Sequence, residues 1–423
     1  MQFIADFHLH SKYSRATSRE MEVETLAVWA KRKGIKVLGT GDFTHPLYLL
    51  DLKSKLKPAG GGLYQLKNDS EGIRFMLTAE VSNMYTQGGK GRRIHTIIFA
   101  PSLEAAEQIG SKLGKYGKIA SDGRPIFGFS AKDLVKMVLD ISPDCLLIPA
   151  HAWTPWFSIF GANSGFDSLA ECYEEETKNI RAIETGLSSD PEMNWRISAL
   201  DDITLISNSD AHSPAKLGRE ANIFNCDLSY GAITDAIRRK DPRRILFTIE
   251  FFPEEGKYHY DGHRNCSILF SPQETKKHKG LCPACGKRVT VGVMNRVDQL
   301  ADRREGAVPN KAIPAMHMVP FAEIIADALG VGTNAAAVER EYLRLVEKGG
   351  SEFAILMELS PEDLASFTPP MILEGILRVR EGRLNITPGY DGVFGKIQIF
   401  TQAEREKGLV PEEKAIADQM KLF

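Results

Sequence analysis

At 423 residues the chain is too long for one ordinary domain and fits two or three. Hydrophobic residues at 43% and charged residues at 26% allow a large packed core, and a formal net charge of −2 excludes a uniformly basic nucleic-acid coat but not a local basic patch. No apolar run reaches the ~18–20 residues of a membrane span, no secretory pattern opens the chain, and six cysteines do not make a disulfide scaffold, so a reduced, cytoplasmic setting without membrane partners is expected.

The opening residues read as a strand that ends at His8-Leu9-His10. Residues i and i+2 of a strand share a face, so both imidazoles can reach one ion. A helical pattern over 22–33 and a short apolar run over 35–39 lead to Asp42 and His45. Glu80 then follows the run 74–79, His95 opens the run 95–100, and His151 follows 146–150. Asp210-Ala211-His212 follows 205–209, and further helical patterns cover 131–139 and 230–240. This alternation argues for α/β layers or a barrel over residues 1–250, with chemistry collecting at the C-terminal strand ends.

Six of the ten histidines (His8, His10, His45, His95, His151 and His212) fall at or beside such ends. With Asp42, Glu80 and Asp210 they form a mixed imidazole and carboxylate set that suits Zn, Mn or Fe. The set exceeds what one ion needs, so two or three ions are implied, an arrangement suited to phosphoester cleavage. Trp153, Trp156 and Phe157 directly follow His151 and can offer stacking faces or a wedge to a nucleic acid.

From about 251 the composition changes. His263 and Cys266, then Cys282 and Cys285, form two knuckle-like pairs suited to a closed tetrahedral structural zinc, with His259 or His278 as alternative fourth ligands. Lys276, Lys277, Lys287 and Arg288 surround the cluster and suggest a nucleic-acid backbone partner. A zinc-binding module is expected over 251–300. Helical spacing in 319–329, 335–345 and 370–378 predicts an all-helical DNA-binding domain over 301–400. A charged tail over 401–423 ends in Gln419, Met420, Lys421, Leu422 and Phe423, which resembles the bacterial sliding-clamp-binding motif.

The order H-x-H, an Asp/His turn, then Glu, His, His and a final D-x-H resembles the PHP (polymerase and histidinol phosphatase) superfamily. That resemblance implies a distorted (β/α)7 barrel with a trinuclear centre. It assigns His8, His10, Glu80 and Asp210 to a first ion, and Glu80, His95 and His151 to a second. The turn holding Asp42 and His45, with His212, is assigned to a third. Two features depart from the pattern: Phe43-Thr44 separates Asp42 from His45, and 11–17 holds no third histidine.

With the cysteine module, a helical region and Pro388-Gly389-Tyr390-Asp391-Gly392-Val393-Phe394-Gly395, the whole arrangement resembles the endonuclease Q family. The resemblance implies nicking of DNA on the 5′ side of deaminated bases (uracil, hypoxanthine, xanthine) and abasic sites. His8, Glu80, His151 and Asp210 are the expected catalytic ligands of two or three divalent ions, Zn2+, Mn2+ or Mg2+. The competing readings are a PHP-type phosphatase acting on a small phosphate monoester or nucleotide, and a non-catalytic module of a replication assembly.

Overall fold

A computed structural model describes residues 1–68 and 72–407, which form two compact units. The first is Met1–His317 with Pro388–Gly395; the second is Met318–Thr387 with the chain from Lys396. No helix among the described residues is long and apolar enough to cross a membrane.

The first unit is built on a mixed sheet. Strand Gln2–Asp6 lies parallel to Val37–Gly39 and antiparallel to Ala221–Asn225. Val37–Gly39 lies parallel to Arg74–Gln87, which turns back antiparallel into Lys90–Ala100, and that strand is antiparallel to Leu146–Pro149. On the other side, Ala221–Asn225 is antiparallel to Ile245–Glu250, which is parallel to Ala315–His317. Ala182–Glu184 and Thr204–Ile206 form a separate parallel pair.

Strand–helix alternation alone does not anticipate these antiparallel ladders. The longest has a local cause. Gly88 and Gly89 both hold positive φ, 60° and 73°, so Gln87 pairs with Lys90 across a tight two-residue turn.

Phe7, Phe99 and Phe224 meet at the centre of the core, with ring centroids 5.4 and 5.9 Å from Phe7. Burying such a ring contributes roughly 1.5–3 kcal/mol, so this cluster holds the strand ends in place. Gly39 is needed where the first two strands approach most closely, because a Cβ there would collide with the Phe7 carbonyl. The strand-end residues Leu9 and Ala211 form a parallel bridge, with His10 N–H donating to Ala211 O at 3.0 Å. That bridge brings the H-x-H segment against the D-x-H segment.

The cysteine segment also belongs to the first unit. It comprises the hairpin Asp261–His263/Ile268–Phe270, the helix Pro272–Lys277 with a Ser271/Glu274 capping box, and a knuckle closed by a Leu281–Arg288 bridge. Its apolar core is small: Phe270, Cys282 and Val289, with Cys266 and Ile268 packed on it. The loop 388–395 folds onto it, with Tyr260 N–H donating to Gly389 O at 2.9 Å and Arg264 N–H to Asp391 Oδ2 at 2.7 Å.

The second unit packs Phe321–Leu329, Ala336–Gly349 and Pro370–Arg380 around Phe321, Ile324, Leu345, Ile372, Ile376 and Phe400. Glu352 is buried at the start of the first of these helices, accepting from Phe321 N–H at 3.2 Å and Tyr342 OH at 2.7 Å. Spacing predicted an all-helical domain over 301–400, whereas in this unit Asn385–Thr387 and Lys396–Gln398 pair as a short antiparallel ribbon. Helix Gln402–Lys407 begins the charged tail. The clamp-like residues Gln419, Met420, Leu422 and Phe423 lie outside the described residues.

Candidate metal centre

Glu80 stands at the middle of the site. It lies within the long strand Arg74–Gln87 and is 1% exposed. Its Oε2 lies 3.2 Å from His10 Nε2 and 3.6 Å from His8 Nε2, and Asp210 Oδ1 lies at the same two distances from those nitrogens. Its Oε1 lies 2.7 Å from His95 Nδ1 and 3.1 Å from His151 Nε2. One carboxylate therefore straddles two ligand groups, His8/His10/Asp210 and His95/His151. Within each three-residue set, His8/His10/Asp210 and Glu80/His95/His151, the ligand atoms lie within 4.8 Å of one another.

The donor set fits divalent ions. His8 Nε2, His10 Nε2 and Asp210 Oδ1 are buried atoms without a well-aligned hydrogen bond among the described residues. Such orphaned atoms are costly unless something else pairs with them. Burial alone would raise Glu80, but His95, His8 and Arg124 hold it well below the usual carboxylate range. Burial pulls the His95 ring down to about 4 against the attraction of Glu80. Asp42, His151 and Asp210 all hold positive φ (46°, 29° and 47°), a concentration of backbone strain typical of functional sites.

Two carboxylates orient the first group. Glu184 ends the strand Ala182–Glu184 and places both oxygens 3.0 Å from His8 Nδ1. It also accepts from His151 N–H at 2.7 Å and Asn208 Nδ2 at 2.9 Å. Burial would lower the His8 ring, but Glu184, Glu80 and Asp210 raise it well above its ordinary value, so an ion would take the place of the Nε2 proton while Nδ1 goes on donating to Glu184. Glu184→Gln is expected to weaken ion binding by ~10–100-fold, the usual effect of removing such a partner. A metal titration of the two proteins checks it; equal affinities would contradict the role.

Asp42 does the same for His10, 3.1 Å from Nδ1. Its other oxygen accepts from Ser11 N–H, Ser11 Oγ and Ser14 Oγ at 2.7–2.8 Å. Asp42 is thus occupied as an orienting group. His45 occupies the position before helix Pro46–Lys55 without a side-chain cap, stacks on Tyr13 at 4.5 Å and places Nε2 3.2 Å from Ala120 O. His212 lies over His10, centroids 4.6 Å apart. The structure does not bring Asp42, His45 and His212 to one point as a third ligand set. The inserted Phe43-Thr44 accounts for this: Phe43 is fully buried and carries His45 onto the helix.

Arg124, which sequence reading did not single out, places a guanidinium nitrogen 3.2 Å from Glu80 Oε2 with its side chain 30% exposed. It is the kind of group that meets a phosphate bidentately at the rim of such a centre.

The aromatic loop divides. Trp153 is 1% exposed, packs against Phe160 at 4.8 Å and donates Nε1–H to Asn194 Oδ1 at 2.8 Å. It supports the loop from the core and is not the stacking face expected from sequence. Trp156 is 42% exposed, and Phe157 lies 4.8 Å from the His95 ring.

The second candidate site joins His263, Cys266, Cys282 and Cys285, whose ligand atoms all lie within 4.8 Å of one another. Burial would raise the Cys282 thiol, but the backbone amides of Cys285 and Ala284 and the His263 ring overcome it and bring the thiol to about 6. His278 instead stacks on Phe270 at 4.7 Å, and His259 is buried against Tyr260, so His263 is the ring that joins the cysteines. Lys277, Lys287 and Arg288 are exposed around the knuckle, whereas Lys276 pairs with Asp298.

Comparison with known proteins follows the same lines. A family model described as the MJ0043 C-terminal domain matches residues 320–383. The uncharacterized protein YqxK of Bacillus subtilis is 30% identical over 411 residues, 93% of this chain and 98% of its own. The crystal structure of a lesion-specific endonuclease from Pyrococcus furiosus is 32% identical with a TM-score of 0.84, covering 98% of this chain and 99% of that one. A structure of endonuclease Q with a 27-mer duplex carrying an abasic lesion at its active site is 33% identical with a TM-score of 0.84, covering 97% and 100%.

Proposed function

The chain belongs to the endonuclease Q family, and from that premise we propose that it nicks DNA on the 5′ side of deaminated bases and abasic sites, leaving 3′-hydroxyl and 5′-phosphate ends. The observation that carries the reading is Glu80, one buried carboxylate shared between His8/His10/Asp210 and His95/His151. On this reading the mixed sheet is a distorted PHP barrel, residues 251–300 form its structural-zinc module, and the second unit contributes DNA binding.

Divalent ions supply polarisation of the phosphoryl oxygens, acidification of the attacking water and stabilisation of the leaving oxygen. The chain's own residues do the rest. His8, His10 and Asp210 would hold one ion, and His95 and His151 the other, with Glu80 between them. Glu184 and Asp42 hold the imidazole tautomers, and Arg124 meets a non-bridging phosphate oxygen. Trp156 offers a stacking face to the base or gap at the lesion, where unstacking costs least. Lys277, Lys287 and Arg288 meet backbone phosphates and make affinity salt-dependent.

The test is incubation with labelled duplexes carrying a single uracil, hypoxanthine or abasic site, with Mn2+, Mg2+ or Zn2+ supplied separately. One incision 5′ of the lesion, absent from undamaged duplex, is expected. Release of inorganic phosphate from nucleotide monophosphates without any incision would instead establish the small-molecule phosphatase reading.

Gln419, Met420, Leu422 and Phe423 are assigned to a sliding clamp, with Leu422 and Phe423 filling an apolar pocket at an affinity on the order of micromolar. Removing residues 419–423 is expected to abolish clamp capture in a pull-down and leave incision of free oligonucleotides unchanged. No capture by the full chain would end that assignment.

A further inference from the structure

Pro388–Gly395 belongs to the first unit, and its tip is a tight turn. Tyr390 N–H donates to Val393 O at 3.0 Å, and Val393 N–H donates to Tyr390 O at 2.7 Å. Asp391 and Gly392 between them hold positive φ, 43° and 83°, as a primed two-residue turn requires. Phe394 follows the turn and is 66% exposed, and Val393 beside it is exposed as well. On the DNA-nicking reading above, we propose that this turn is a second stacking element for damaged duplex. Phe394 enters the base stack beside the lesion, and Lys257 and Arg264 meet the flanking phosphates.

The turn is tied down along its length. Gly389 N–H donates to Glu254 O at 2.7 Å, Gly392 N–H to Lys257 O at 3.0 Å and Gly395 N–H to Glu255 O at 3.1 Å. Asp391 commits both carboxylate oxygens to the same anchorage. Oδ2 accepts from Arg264 N–H at 2.7 Å, and Oδ1 accepts from Thr290 Oγ1 at 2.6 Å. The Tyr390 ring packs so closely on Gly262 that a Cβ there would collide with it. An apolar side chain held out on a fixed backbone loses little freedom when it binds, which favours insertion into a stack.

Phe394 is part of a patch. Lys257 Nζ lies 4.8 Å from its ring centroid, and the next residue, Tyr258, meets Trp156 edge-on at 5.8 Å. Tyr258 OH also lies against the turn, 3.8 Å from where a Cβ on Gly392 would stand. The patch therefore runs from Trp156 through Tyr258 to the turn. Trp156 is tied in its turn to the metal centre. Thr154 Oγ1 lies 3.2 Å from His151 Nδ1 and donates to Trp156 O at 2.9 Å. Lys257 and Arg264 are exposed, while Asp391, the acid of the turn, is already paired. Flat apolar rings beside exposed cations match the bases and phosphates of one nucleic-acid strand. An abasic or mispaired site is where opening a duplex stack costs least, so insertion there selects damage without reading sequence.

The experiment uses the full chain and a duplex with one abasic site flanked by 2-aminopurine, a base whose fluorescence rises when it is unstacked. Binding and fluorescence are measured without added divalent ions, so that the strand stays whole. The unaltered chain is expected to raise the fluorescence on binding. Phe394→Ala should lose most of that rise and bind the abasic duplex about 10-fold more weakly, with undamaged duplex bound nearly as before. Its melting temperature should not change, because the ring it removes is exposed. Phe394→Tyr, which keeps a flat ring, should restore both signals. Lys257→Ala should instead weaken binding to damaged and undamaged duplex alike and reduce the salt slope by about one. Equal affinity and an equal rise in Phe394→Ala would overturn the proposal, as would failure of Phe394→Tyr to restore them. Incision by the unaltered chain alongside those equal signals would leave the nuclease reading standing and remove this proposal alone. A Phe394-dependent rise without any incision once Mn2+ is added would do the reverse.

Discussion

Asp210→Asn is expected to lower incision at an abasic site by about 1000-fold while leaving duplex affinity nearly unchanged. Asp210 Oδ1 lies 3.2 Å from His10 Nε2 and 3.6 Å from His8 Nε2, so it completes the first ligand group. An amide has the same shape but no charge, and it removes an anionic ligand that the neighbouring imidazoles hold in its ionised form. Losing the several kcal/mol of transition-state stabilisation that an ion supplies corresponds to roughly three decades of rate. The backbone survives the change: Asp210 holds φ 47°, a conformation that asparagine adopts as readily. Affinity survives because it rests on phosphate contacts made elsewhere. Single-turnover cleavage with labelled duplex, alongside binding by anisotropy, separates the two. Incision within a few-fold of normal would refute Asp210 as a ligand.

Cys282→Ser is expected to remove one zinc equivalent and to make the segment 261–290 susceptible to protease, with weaker duplex binding as a consequence. The segment has only Phe270, Cys282 and Val289 as buried apolar residues of its own. Such a core is too small to hold a fold, so on the zinc reading a bound ion would supply the folding free energy. Serine is a poor soft-metal ligand, and Cys282 is the most deeply placed of the three cysteines. Lys277, Lys287 and Arg288 would then lose their fixed positions, so the salt dependence of binding should become shallower. Metal content by mass spectrometry and limited proteolysis check the first two effects. An unchanged zinc count would contradict the assignment.

Much of the site was legible because its spacing is local. His8 and His10 stand at i and i+2 just beyond the strand Gln2–Asp6, on either side of the Leu9–Ala211 bridge, and Cys282 and Cys285 form one knuckle. Residue type and spacing suffice there because the backbone between the ligands allows little else. The same local rules misplaced Trp153. Three aromatics after a ligand look alike in sequence, but the turn sends Trp153 inward to Asn194 and leaves Trp156 at the surface. The all-helical expectation for 301–400 failed for a related reason: three-residue strands carry too short a pattern to register as a period.

By itself the sequence determined which reactive groups are present: an imidazole and carboxylate set near strand ends, a Cys/His cluster and a basic surround. These follow from composition and short spacing. Only the tertiary structure decided which side chains meet. Segments from separate parts of the chain converge on Glu80, between His8/His10/Asp210 and His95/His151. Glu184 meets His8 across 176 residues of sequence, Arg124 meets Glu80 across 44, and Glu250 meets Thr185 across 65. Asp42 turned from expected ligand to orienting group because Ser11 and Ser14 saturate it. Contacts of that kind leave no periodicity in the sequence: they depend on how buried strands register against one another, which the packed core around Phe7, Phe99 and Phe224 sets.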